Sequence, residues 1–116
     1  IRSTPVLVDV YYLQALEVIT ERFRDARLDS RKVASIVGVS ERTLFKAFEA
    51  RQDSFHERMI MSRCGEAEKQ VRLSNEPISS IAFGCGFDSI ATFNRNFRNR
   101  FGCSPSEYRK CVRERK

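Results

Sequence analysis

An all-α fold of about seven helices is what this sequence predicts, and three observations predict it. Apolar residues recur at three- and four-residue spacing along the long stretches, no stretch alternates apolar and polar residues as a half-buried strand does, and most glycines and prolines fall between the periodic stretches. The chain has 116 residues, 41% of them apolar and 31% charged, and 21 Lys+Arg against 15 Asp+Glu give a formal charge of +6. That length suits one small domain or two very small ones. A mean hydropathy of -0.43 leaves no room for a membrane span.

Residues 1–8 read as a connector from a missing N-terminal domain: the chain starts at Ile1, and Pro5 and Asp9 interrupt the apolar order of a signal peptide. From Asp9 to Phe23, Val10, Leu13, Leu16, Ile19 and Phe23 form the apolar stripe of a first amphipathic helix. Asp29 caps a second helix through Val33, Ala34 and Val37, which stops at Gly38. Ser40 caps a third, from Glu41 to about Gln52, with Leu44 and Phe48 on its buried face and Arg42, Phe45, Lys46 and Glu49 opposite.

Ser54 to Leu73 reads as one long helix of about 30 Å, with Phe55, Met59, Ile60, Cys64, Ala67 and Val71 inside and Gly65 within it. Asn75, Glu76 and Pro77 end it. A short helix over Ile78 to Phe83, a turn at Gly84 and Gly86, and a longer helix over Ser89 to Phe101 follow. Ser104, Pro105 and Glu107 have the pattern of a cap, a first-turn proline and a capping box that open a last helix.

The halves repeat. Ala34, Gly38, Leu44, Phe48, Asp53 and Met59 are separated by 4, 6, 4, 5 and 6 residues, and Ala82, Gly86, Phe93, Phe97, Gly102 and Tyr108 by 4, 7, 4, 5 and 6. Val33 pairs with Ile81, Val39 with Phe87, Thr43 with Thr92 and Lys46 with Arg95. A small residue where two helices cross, glycine at the turn and paired Leu or Phe anchors are the physical requirements of a helix-turn-helix. The expected organisation is therefore two helix-turn-helix subdomains, residues 9–53 and 75–116, joined by a linker helix over residues 54–74.

The stretch Ile81-Ala82, Gly86-Phe87, Phe93, Phe97 and Gly102-Cys103-Ser104-Pro105-Ser106-Glu107-Tyr108-Arg109, with Val33-Ala34, Gly38, Ser40, Leu44, Phe48, Arg63 and Ala67, resembles the AraC/XylS family of transcriptional regulators over roughly Asp9 to Val112. The resemblance implies sequence-specific binding of double-stranded DNA by two helix-turn-helix units in successive major grooves. It also implies RNA polymerase as a partner, a small-molecule effector acting through the missing domain, and a bacterial, cytoplasmic, nucleoid-associated location. Asp53 stands where the family has a glycine, which shifts the expected exit from the third helix.

A duplex is a polyanion whose major groove admits a helix. On the second helix of each unit, Arg42, Phe45 and Lys46, and Ile90, Ala91, Thr92 and Arg95, are the candidate base contacts. Arg or Lys suits guanine O6 and N7, and apolar groups suit the thymine methyl. Phe45 has two readings, a contact with DNA or a place in the hydrophobic seam. Ser40, Arg51, Ser89, Asn94 and Arg98 are the candidate phosphate contacts, with solvated helix surface as the plainer reading.

A helical protein-interaction module without specific DNA binding is the alternative, since Met59, Ile60 and Met61 are adaptable apolar groups. One histidine, no glycine-rich phosphate loop and no close Cys/His spacing argue against an enzyme, a cofactor or a metal site. Cys64, Cys85, Cys103 and Cys111 are expected as separate thiols.

Overall fold

The computed structural model describes residues 3–115 and folds them into seven helices with no strand among the described residues: α1 (Ser3–Arg22), α2 (Ser30–Val37), α3 (Glu41–Ala50), α4 (Phe55–Leu73), α5 (Ile78–Gly84), α6 (Ile90–Phe101) and α7 (Pro105–Glu114). None of these helices is long and apolar enough to cross a membrane.

Residues 3–8, expected as connector, belong to α1, which starts six residues before Asp9. Pro5 does not prevent this, because a first-turn residue has no intrahelical acceptor for the N–H that proline lacks. The buried face of α1 also differs from expectation. Tyr12, Ala15, Val18, Ile19 and Phe23 are buried, whereas Val10 and Leu13 are 39% and 53% exposed and Leu16 is half-buried. α1 has apolar residues on most of its circumference, so periodicity alone offers two overlapping stripes. The face that packs inward is the one carrying Tyr12, whose ring meets Phe48 edge-on with centroids 4.9 Å apart.

Side-chain caps define the helix starts. Asp29 accepts from the Lys32 amide, Ser40 from that of Thr43 and Ser89 from that of Thr92, at 2.9, 3.1 and 3.1 Å. Ser104 and Glu107 close the expected capping box around Pro105. Each short hairpin turns through a glycine in the left-handed region, Gly38 at φ +91° and Gly86 at φ +98°. That conformation costs an L side chain roughly 1–2 kcal/mol.

The described residues form two compact units, 3–23 with 27–59 and 24–26 with 60–115. The first core gathers Tyr12, Ile19, Leu28, Val33, Leu44, Phe48, Phe55 and Met59. The second gathers Cys64, Ala67, Val71, Ile81, Phe87, Phe93 and Phe97. α4 coincides with the expected linker helix, and its start belongs to one core while Cys64, Ala67 and Val71 belong to the other. Arg63, matched to the linker pattern, donates to the Asp25 carbonyl at 3.0 Å. None of the four cysteines is in a disulfide: Cys64 and Cys85 are buried, Cys103 is half-buried and Cys111 is exposed.

The two units part company after their second helix. α6 ends at Gly102, left-handed at φ +85°, five residues past Phe97, whereas the left-handed residue after α3 is Gln52, φ 54°, four residues past Phe48. Asp53 therefore does not fill the glycine's place; Gln52 does. From there the register is one residue short. Ser54 accepts from the Glu57 amide and so caps α4 as Ser104 caps α7, which sets Phe55 opposite Pro105 and Arg58 opposite Tyr108.

Candidate nucleic-acid interface

In each unit the second helix is pinned by two anchors, Leu44 and Phe48 in α3 and Phe93 and Phe97 in α6, all buried. Helical periodicity then sends the residues between them outward. On α3 this exposes Arg42, Phe45, Lys46 and Glu49, as the sequence predicts. None of the four side chains makes a hydrogen bond or ion pair among the described residues. Phe45 is 47% exposed; one edge of its ring leans on the buried Phe55 at a centroid distance of 6.4 Å and the rest faces solvent. Phe45 therefore both touches the hydrophobic seam and leaves part of its ring exposed. An open cleft of about 680 Å³ runs along this face, lined by Arg42, Phe45, Lys46, Glu49, Phe55 and His56. His56 was missed as a candidate because only the fold brings the start of α4 beside α3.

On α6, Ala91, Asn94, Arg95 and Arg98 are exposed. Arg95 makes no hydrogen bond or ion pair among the described residues, and Arg98 makes only a long contact of 3.9 Å with Glu107. Ile90 differs from expectation, since it is half-buried and packs against the second core. It sits one turn before the anchors Phe93 and Phe97 and shares their side of the helix. Thr92 is half-buried, and its hydroxyl accepts from Ser89 at 2.9 Å within the cap.

Arg51 also lies elsewhere than expected. It follows α3 on the side facing α1, where it pairs with Asp9 at 3.1 Å and lies over the Tyr12 ring at 4.7 Å from the centroid. Ser40 and Ser89 are helix caps whose hydroxyls also donate to Thr43 and Thr92. The charges of the two helices differ. α3 carries Glu41, Arg42, Lys46 and Glu49, a balance of zero, while α6 carries Arg95, Arg98 and Arg100 and no acid.

Each unit also holds a network of a tyrosine, a carboxylate and an arginine. Tyr12 donates to Asp53 at 2.6 Å, and Arg58 donates to the same carboxylate at 2.8 Å through Nη2 and 3.2 Å through Nε. In the second unit Tyr108 donates to Glu68, which also receives Arg72 at 2.8 Å. Arg109 and Arg113 donate to the carbonyls of Val71 and Ser74, fixing α7 to the end of α4. Burial opposes ionisation of Asp53, but the bonds from Tyr12, Arg58 and the Ser54 amide outweigh it and hold the carboxyl below its ordinary range. Arg72 holds Glu68 low in the same way, with help from Tyr108.

The family model for the helix-turn-helix domain matches residues 33–111, which is more than half of the chain and includes α3, α4 and α6. The chain belongs to the AraC-type helix-turn-helix family. Its members are DNA-binding transcriptional regulators. The transcriptional activator NphR of Rhodococcus is 29% identical over 93 residues, covering 80% of this chain and 28% of that protein. The transcriptional activator RhrA of Rhizobium meliloti is 31% identical over 80 residues, covering 67% and 26%. The chain thus spans only a fraction of the length of these regulators. Among solved structures, the C-terminal domain of the response regulator AraT of Geobacillus stearothermophilus has a TM-score of 0.83 at 25% identity, covering 87% of this chain and 84% of that one. The DNA-binding domain of AdpA, solved with a target DNA, has a TM-score of 0.84 at 24% identity, covering 90% and 95%. The AraC-type fold accounts for the repeat, the left-handed turn glycines and the anchored second helices.

Proposed function

We propose that this AraC-type domain binds double-stranded DNA sequence-specifically and regulates transcription, with each unit placing its second helix in a major groove of one duplex, in successive grooves. The observation that carries the reading is the pair of exposed helix faces, α3 with Arg42, Phe45 and Lys46 and α6 with Ala91 and Arg95, each presented by buried anchors. Arg42 or Lys46 suits guanine, Phe45 suits a thymine methyl, and Arg95 supplies the strong polar contact of an α6 that otherwise offers the small Ala91 and the half-buried Ile90 and Thr92. Ser40, Ser89, Asn94 and Arg98 are proposed to set register on phosphates. Arg51 joins them only by leaving Asp9. The AdpA structure with its target DNA supports this reading. RNA polymerase and a small-molecule effector acting through a further N-terminal domain are the other partners we propose, and bacterial cytoplasm, at the nucleoid, is where it would act.

Selection of tight-binding duplexes from a randomised pool tests the proposal. Enrichment of two short boxes about one helical turn apart is expected. A single box would confine sequence reading to one unit. No enrichment by the folded chain would overturn the reading and favour the interaction module.

A further inference from the structure

Glu49 is a carboxylate on a face proposed to meet a polyanion. It is exposed, and its side chain has no hydrogen bond or ion pair among the described residues, although Lys46 stands one turn before it. Its charge makes the ionic balance of α3 zero, so unlike α6 this helix gains little from the counterion release that drives non-specific binding. A carboxylate in a major groove accepts hydrogen bonds and donates none, so the groups it can pair with are the exocyclic amines, and the amine of cytosine, N4, is the one acidic side chains read. Glu49 lies one turn beyond Phe45 and Lys46 on the same side of the helix, within the same cleft.

We propose that Glu49 is a specificity-determining residue: it accepts a hydrogen bond from N4 of a cytosine in the box read by α3, and it weakens binding to DNA lacking that base. The proposal rests on α3 reading bases as described above.

The test is selection from a randomised duplex pool by the native chain, Glu49→Gln, Glu49→Ala and Lys46→Ala, followed by titration of the selected duplex with each base at the affected position. Position 49 is exposed on a helix, where Gln and Ala are well tolerated, so the variants should fold. The native chain should prefer cytosine at one position by about five- to 150-fold. Glu49→Ala should abolish that preference and bind random duplex more tightly. Glu49→Gln should move the preference toward adenine, whose N6 and N7 a carboxamide pairs with. Boxes that change with Lys46→Ala but are identical for the native chain and both Glu49 variants would overturn the role of Glu49 and leave the α3 reading standing. Boxes that respond to neither residue would overturn both.

Discussion

Asp53 is acceptor to a tyrosine and an arginine at once, and its side chain is only 16% exposed. Asp53→Asn keeps the shape but removes the charge facing Arg58, and the expected cost is about 1–3 kcal/mol in urea denaturation near neutral pH. Because the folded state favours ionised Asp53, its contribution is complete above the ordinary carboxylate pKa of about 4 and is lost as pH falls through the lowered value. The native chain should therefore lose stability on acidification more steeply than Asp53→Asn. Parallel acid limbs would show that Asp53 contributes no such linkage. On the outer faces, Lys46→Ala and Arg95→Ala should each lose about 1–3 kcal/mol on the selected duplex and less on random DNA. Equal losses on both in competition titrations would make them phosphate contacts. These outward positions were legible in the sequence because the anchors Leu44, Phe48, Phe93 and Phe97 fix the helix phase. The Tyr12–Asp53–Arg58 network was not, since its members come from three separate segments.

At the scale of the element, side-chain-capped helix starts read more faithfully than helix faces. Asp29, Ser40 and Ser104 cap where the sequence places them, because an N-cap is a local bargain between one side chain and an amide two or three residues on. The face of α1 depends on what packs against it, and the sequence of α1 alone does not hold that information. The five-residue spacing from Phe97 to Gly102 puts the left-handed turn after α3 at Asp53, whereas the backbone places it at Gln52. A direct comparison follows: Gln52→Gly should raise stability by about 1 kcal/mol by relieving a left-handed glutamine, and Asp53→Gly should lower it by removing the acceptor of Tyr12 and Arg58. Thermal or urea midpoints moving in the reverse senses would place the turn at Asp53 after all. Gly65 is helical, and a Cβ there would meet nothing within 4 Å. Gly65→Ala should accordingly stabilise α4 by about 1 kcal/mol.

At the scale of the molecule, the repeat made the architecture readable: two spacings differing by a single turn residue, now seen as Asp88 before the Ser89 cap, specify two units of one kind. Along α4, Phe55 and Met59 complete one core and Cys64, Ala67 and Val71 another. The reason is that a helix wedded to two small cores lets each bury more apolar surface than its own hairpin supplies. Small domains bury a smaller fraction of their surface and are correspondingly marginal. Removing one large anchor should then open one unit first. Phe97→Ala deletes a fully buried ring that contacts Phe93, Phe101 and Tyr108, at a cost of about 3–5 kcal/mol. In native-state hydrogen exchange this variant should lose protection in α5, α6 and α7 while amides of α2 and α3 stay protected, and Phe48→Ala should do the reverse. Uniform loss of protection in both variants would mean that the two cores fold as one cooperative body, with α4 transmitting the loss of either anchor to the whole chain.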